Sequence, residues 1–268
     1  MKEINLAQSK PRFRMVLVLG PEKTGKTRFI ATAPKPIYLF SFDDGWDSIA
    51  GIDGIKAGVY TKDDRHKGIG IYSEFMPRLR MISKEKYTWL DGRTEAYKTI
   101  AIDPISFLGQ GIVDEVQATN FPNQPDAPLQ IQHWAPVLDK FLDLLNLCRN
   151  AAENVIVTCH VMLRESEVSG SDMFLPMLPG QTRDKIGASF DAVGFMHVVP
   201  KGLNKVEHYI SFLPTPTKRL GIRIPANLDG IFTSTEIPNF ITIQDKFNQQ
   251  ADNTASQAAS PVVVTTKQ

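Results

Sequence analysis

The chain of 268 residues carries 30 Lys plus Arg against 29 Asp plus Glu, and 42% of it is hydrophobic, a globular composition well away from the disordered and fibrous classes. Its formal net charge of +1 makes no overall polycationic field, so any nucleic-acid contact has to come from local basic patches. Cys148 and Cys159 have no metal-type spacing, which points to a reducing, cytoplasmic setting rather than a disulfide framework, and no run approaches the roughly 20 apolar residues that cross a bilayer.

The first predicted element is the strand MVLVL, residues 15–19, an apolar run too short for a signal-peptide core. It leads into G-x-x-x-x-G-K-T over residues 20–27, a complete P-loop, or Walker A, pattern. A triphosphate needs many donors and little steric bulk. The expected cradle is therefore Gly20, Pro21, Glu22, Lys23, Thr24, Gly25, Lys26, Thr27 and the adjoining Arg28, with the glycines letting backbone N–H groups wrap the β-phosphate of ATP. Lys26 is expected to reach the β- and γ-phosphates, and the Thr27 hydroxyl to ligate Mg²⁺. Lys23 lies off the fixed lysine position and reads as a solvated charge.

Residues 37–42, IYLFSF, predict a second buried strand that ends in Asp43-Asp44-Gly45. A carboxylate at such a strand end can orient a water and accept its proton. Asp44 is the candidate catalytic base, with Asp43 in reserve, and the alternative is a plain turn. Residues 51–96 then hold an insertion. Within it, residues 72–86 show a helical face whose Pro77 belongs in the first turn or at a kink, and Arg78, Arg80, Lys84 and Lys86 make that helix locally basic. Asp91-Gly92 sits between short β-like runs and predicts a hairpin.

YKTIAID, residues 97–103, reads as a core strand beside the first, with Asp103 as the second metal acid. Asp103 equally suits the cap of a following helix opened by Pro104. The proline- and amide-rich stretch 119–133 is a loop, and Trp134 to Arg149 is the clearest amphipathic helix. NVIVT, residues 154–158, is a further strand running into Cys159 and His160. His160 is either a catalytic γ-phosphate sensor or a merely satisfied histidine.

Residues 161–185 predict a glycine-containing loop or an ordinary surface hairpin. In the first reading Arg164, Arg183 and Lys185 contact nucleic-acid phosphates and Phe174 stacks on a base. An edge hairpin near residue 206 is followed by Lys218, Arg219 and Arg223, either a trans-acting finger toward a neighbouring subunit's nucleotide or a second nucleic-acid patch. The whole reads as one domain over 1–247 with inserted loops at 51–96 and 161–185, followed by a disordered polar tail at 248–268.

GPEKTGKT, residues 20–27, resembles the P-loop of RecA-type recombinases, and the strand order is similar. APKPIYLF (residues 33–40) and LPGQTRDKIGASFDAVGFMHV (residues 178–198) resemble phage-borne RecA-like AAA-class nucleotide-binding proteins, including Sak-type single-strand annealing ATPases. The resemblance covers roughly residues 12–230 and implies an α/β, RecA-like P-loop NTPase core with a mostly parallel central sheet flanked by helices. It implies ATP and Mg²⁺ as cofactors, with Lys26 and Thr27 at the phosphate and metal positions and Asp103 as the second metal acid. Asp44 matches the water-activating acid by place, although family members usually carry glutamate there, and RecA proteins often carry glutamine where His160 stands. As partners it implies single-stranded DNA in recombination or annealing, copies of the chain in a ring or filament, and a single-strand-binding protein, in the cytoplasm of a phage host.

Overall fold

The computed structural model describes residues 13–60, 70–124, 127–165, 172–202, 205–223 and 230–248. Apart from Asn248, the tail expected at 248–268 lies outside the described residues, as does the stretch 166–171 of the expected loop.

In chain order the elements are β1 (Met15–Leu19), α1 (Lys26–Ile30), β2 (Ile37–Ser41), β3 (Ile55–Val59), α2 (Ile71–Ile82), β4 (Lys86–Thr88), β5 (Thr94–Ala96), β6 (Thr99–Asp103) and α3 (Ile105–Asn120). There follow α4 (Trp134–Ala151), β7 (Asn154–Cys159), β8 (Val161–Glu165), β9 (Asp172–Pro176), α5 (Thr182–Lys185), β10 (Ala192–Pro200), β11 (Val206–Ser211) and β12 (Gly221–Ile222). Residues 240–248 add a closing helix.

The central sheet runs β11-β10-β1-β7-β6-β2-β3, with β12 also on β10. The pairs from β10 through β3 are parallel, and β11 and β12 are antiparallel to β10. Every residue of β1, β2, β6 and β7 is buried, as strands covered on both faces must be. On one face Phe75, Leu79, Leu108, Ile112, Phe141 and Leu144 of α2, α3 and α4 pack on the sheet. On the other, Phe29 and Ile30 of α1 pack with Phe240, Ile243 and Phe247 of the closing helix. The architecture is the α/β, RecA-like P-loop core expected from the sequence.

Three expectations are corrected or narrowed in detail. β6 does not lie beside β1, because β7 occupies the slot between them. The apolar run of β7 is buried on both faces and fits an interior position, so the P-loop strand and the Asp103 strand stand two spacings apart, ~10 Å. Of the two places expected for Pro77, the first turn is excluded, because the proline sits inside α2. Its missing N–H is offset by the buried face of Phe75, Met76, Leu79 and Ile82. Pro104 is the extended cap before α3, not its first helical residue.

The two insertions also take shape. Residues 51–96 contain β3, α2 and the β4–β5 hairpin. The described part of 161–185 is an antiparallel hairpin, β8 with β9, followed by α5. Arg78 of the basic helix bonds Glu85 and lies 5.3 Å from the Tyr38 ring, so it serves the fold.

Candidate functional site

Parallel strands that end together bring their following residues to one edge. Leu19 pairs with Cys159 and Ser41 with Asp103, so the P-loop, Asp43, Asp103 and His160 all leave the sheet on the same side.

The loop between β1 and α1 owes its course to two glycines. Gly25 has φ +92°, a left-handed conformation, and a Cβ at Gly20 would lie 2.8 Å from the Met196 carbonyl oxygen. Lys23 also adopts φ +60°. Pro21, Glu22, Lys23 and Arg28 are exposed, whereas Thr24 and Lys26 are buried. The Lys26 ammonium donates to the carbonyls of Gly20 at 2.9 Å and Pro21 at 2.7 Å, and the Thr24 hydroxyl also donates to Pro21 at 2.9 Å. Burial pulls the Lys26 ammonium below its ordinary value, with Asp103 first among the nearby negative groups that oppose the shift.

Asp103 is 2% exposed at the end of β6. Its Oδ2 accepts the Thr27 hydroxyl at 2.6 Å and its Oδ1 accepts the Thr158 hydroxyl. Burial pushes this carboxyl up, and the two hydroxyl donors hold it down less strongly. Thr27 Oγ1 and Asp103 Oδ2 thus form a pair of hard oxygens next to a buried ammonium. Mg²⁺ takes such ligands, needing only about one or two from protein when phosphate and water supply the rest. The glycine cradle, the buried Lys26 and this oxygen pair fit a Mg²⁺-bound nucleoside triphosphate.

His160 follows β7. Its Nδ1 lies 3.5 Å from Lys26 Nζ and its Nε2 3.9 Å from Asp43 Oδ2. Burial, then the Lys26 charge, lowers its pKa from the usual 6.5, against Asp43 and Glu22. The ring is therefore neutral at pH 7. Facing an ammonium, Nδ1 must accept, which leaves the proton on Nε2 on the Asp43 side. The Ser106 hydroxyl accepts the His160 N–H at 2.9 Å, and the Phe107 ring meets the imidazole edge-on at 5.9 Å. Burial pushes the neighbouring Cys159 thiol up to about 11, leaving it inert as a nucleophile.

Of the two aspartates after β2, Asp43 stands toward the site. Its carboxylate also accepts the Gly45 N–H at 2.9 Å, capping a 3₁₀ helix over Asp44–Ile49. Asp44, the first candidate from the sequence, is exposed at the start of that helix.

The residues expected on nucleic acid or a neighbouring subunit are held differently. Arg164 is exposed on β8. Phe174 is half-buried, its ring centroid 5.2 Å from that of Phe195. Arg183 donates to the Leu178 carbonyl at 3.0 Å, and Lys185 to Gln181 Oε1 at 2.9 Å. The Lys218 ammonium lies 4.4 Å from the Phe195 ring centroid, and Arg219 bonds Asp184 at 3.0 Å. Lys218 and Arg219 thus have partners within their own chain. Sequence reasoning missed Ser106, Thr158 and above all His208, whose Nδ1 lies 2.9 Å from the Thr24 carbonyl.

Fold and site together define a P-loop nucleotide-binding protein with a RecA-like core. Residues 12–223 match the AAA domain family model, AAA_24, and the chain belongs to that family of nucleotide-binding AAA/RecA-like ATPases. Among solved structures, a KaiC-like protein from the hyperthermophilic archaeon Pyrococcus horikoshii OT3 shares 11% identity at a TM-score of 0.40, covering 80% of this chain and 84% of its own. The flagellar accessory protein FlaH from Methanocaldococcus jannaschii shares 13% identity at a TM-score of 0.39, covering 75% and 78%. No curated protein sequence matches. Among the described residues no helix is long and apolar enough to cross a membrane.

Proposed function

We propose that the protein binds ATP with Mg²⁺, hydrolyses it, and couples that cycle to single-stranded DNA in recombination or annealing. The observation that carries the nucleotide part is the Thr27–Asp103 oxygen pair beside the buried Lys26 ammonium. Bound Mg·ATP supplies the phosphoanhydride bond and the metal charge. Lys26 supplies a fixed positive charge in a site of low dielectric, where it is worth more than in water. Thr27 and Asp103 would hold the metal, and Thr158 keeps the second Asp103 oxygen oriented. Asp43, with the neutral His160 beside it, is the group placed to receive a proton from water.

The DNA part is supported by the residues that resemble annealing ATPases and by the position of β8, which starts one residue after His160. A nucleotide-dependent shift of the His160 backbone would reach the hairpin without an intervening linker, and Arg164, Arg183 and Lys185 lie on or just after that hairpin. Such a protein would work as a ring or filament of copies alongside a single-strand-binding protein in the cytoplasm of a phage host.

A second reading, a nucleotide-dependent switch for a protein partner, is favoured by Leu163 and Met177, 56% and 52% exposed at the same hairpin. ATP hydrolysis measured with and without single-stranded DNA, with an anisotropy titration at low salt, separates the two. Stimulation and salt-sensitive binding support the DNA reading. Indifference to DNA in both assays removes it and leaves the switch standing.

A further inference from the structure

The sheet lays a histidine from late in the chain onto the phosphate loop. His208 Nδ1 and the Thr24 carbonyl oxygen are 2.9 Å apart, although the residues are separated by 184 positions. The same nitrogen lies 3.2 Å from where a Cβ of Gly25 would stand. Leu19, the last residue of β1, pairs with Phe195, while β10 runs on to Pro200 and pairs Val198 with His208. β11 therefore passes beyond the end of β1, level with the loop.

The side-chain alternation of a strand puts His208 on one face with Ile210. Ile210, together with Phe212, is fully buried in the layer that also holds Phe29 and Ile30 of α1. Paired backbone bonds between Ile210 and Glu236 hold β11 on its outer side. The core that seats α1 thus also fixes the imidazole against the loop.

A carbonyl oxygen only accepts, so Nδ1 carries the proton in this contact. The C=O and N–H of a planar trans peptide point in opposite directions. Holding the Thr24 carbonyl toward β11 consequently turns the Gly25 N–H the other way. The carbonyls of Gly20 and Pro21 are likewise occupied, by Lys26 and Thr24. A loop that offers N–H groups to phosphate must keep its carbonyl dipoles off the anion, and His208 does this from outside the motif.

We infer that His208 is a positioning residue for nucleotide binding, clasping the Thr24–Gly25 peptide in its phosphate-receiving orientation. The role rests on the ATP reading of the site, whereas the clasp itself does not.

Two measurements on the full chain separate these. Hydrogen exchange over residues 20–29 without nucleotide reads the clasp, and Mg·ATP affinity with KM and kcat reads its use. His208→Leu should speed exchange and raise Kd and KM about fivefold, the worth of one net hydrogen bond, with kcat nearly unchanged. His208→Asn, whose amide nitrogen stands near the Nδ1 position, should restore exchange and affinity toward the wild type, a rescue that loss of packing alone would not show. If His208→Leu does not fold, His208→Ala takes its place with the same expectation. Leu and Asn variants that are alike in both readouts, or a loss confined to kcat, would overturn the inference. Fast exchange in the Leu variant, restored by Asn, in a protein that binds no Mg·ATP would leave the clasp as a fold contact. It would overturn both the positioning role and the nucleotide reading.

Discussion

Thr27 and Asp103 meet across an intervening strand: the Thr27 hydroxyl, from the first turn of α1, reaches Asp103 Oδ2 at 2.6 Å although β7 lies between β1 and β6. Thr158 of β7 closes the same carboxylate from its other side. Three elements that carry the site's chemistry are thereby locked to one buried charge.

That charge is unfavourable to the fold. Burial raises the Asp103 pKa above its ordinary 3.8, so the folded chain holds this proton more tightly than the unfolded chain. The group's stability contribution is intact below the unfolded pKa and is lost as pH rises through the folded one. Asp103→Asn removes the charge, keeps one oxygen to accept a threonine hydroxyl and turns the other contact into an amide N–H donated to a hydroxyl oxygen. The variant should be more stable than the wild type by on the order of 1 kcal/mol at pH 7.5, a difference that shrinks toward pH 4, while losing Mg²⁺-dependent hydrolysis. Thermal melts at the two pH values with a phosphate-release assay check both parts, and a less stable variant at pH 7.5 would contradict the sign.

The adjacent aspartates should separate cleanly. Asp43→Asn, which retains an oxygen to cap Gly45, should lower kcat by about a hundredfold, a typical general-base contribution, with little change in ATP affinity. Asp44→Asn, at an exposed position, should leave kcat within about twofold. Steady-state kinetics on both variants decide the assignment, and the reverse order would return the role to Asp44.

His160 predicts an acid-side loss. Its pKa is lowered first by burial and then by Lys26, so the unfolded chain takes up this proton first as pH falls. The stability it contributes is full above about 6.5 and is lost as pH drops through the lower folded value. Melts of the wild type between pH 7.5 and 5 should therefore fall more steeply than those of His160→Gln. Parallel curves would show that the imidazole is not held neutral.

How much of this was legible in the sequence depended on whether the signal is local. The P-loop reads directly because Gly20, Gly25, Lys26 and Thr27 act within eight consecutive residues, and β1, β2, β6 and β7 read as apolar runs because both their faces are buried. The choice between Asp43 and Asp44 turned on where a 3₁₀ helix begins, a matter of one residue that no periodicity fixes. His208 was out of reach for another reason: its contact with Thr24 exists only because β10 overruns β1 and β11 returns beside it. An edge hairpin near residue 206 is all that this stretch shows in sequence, and nothing in it says what lies against His208. Lys218 and Phe174 look like surface groups in sequence, yet the ammonium lies over the Phe195 ring and the Phe174 ring packs beside it, pairings that tertiary structure alone creates.

The most direct test of the account is Mg²⁺-dependent ATP binding and turnover by the wild type and by Lys26→Ala, with melting temperature as the control for folding. The Lys26 ammonium is buried at a cost and bonded to the Gly20 and Pro21 carbonyls, so its removal should leave a folded chain. Saturable binding and slow hydrolysis are expected in the wild type, and neither in the variant. A folded Lys26→Ala protein with unchanged affinity and turnover would contradict this.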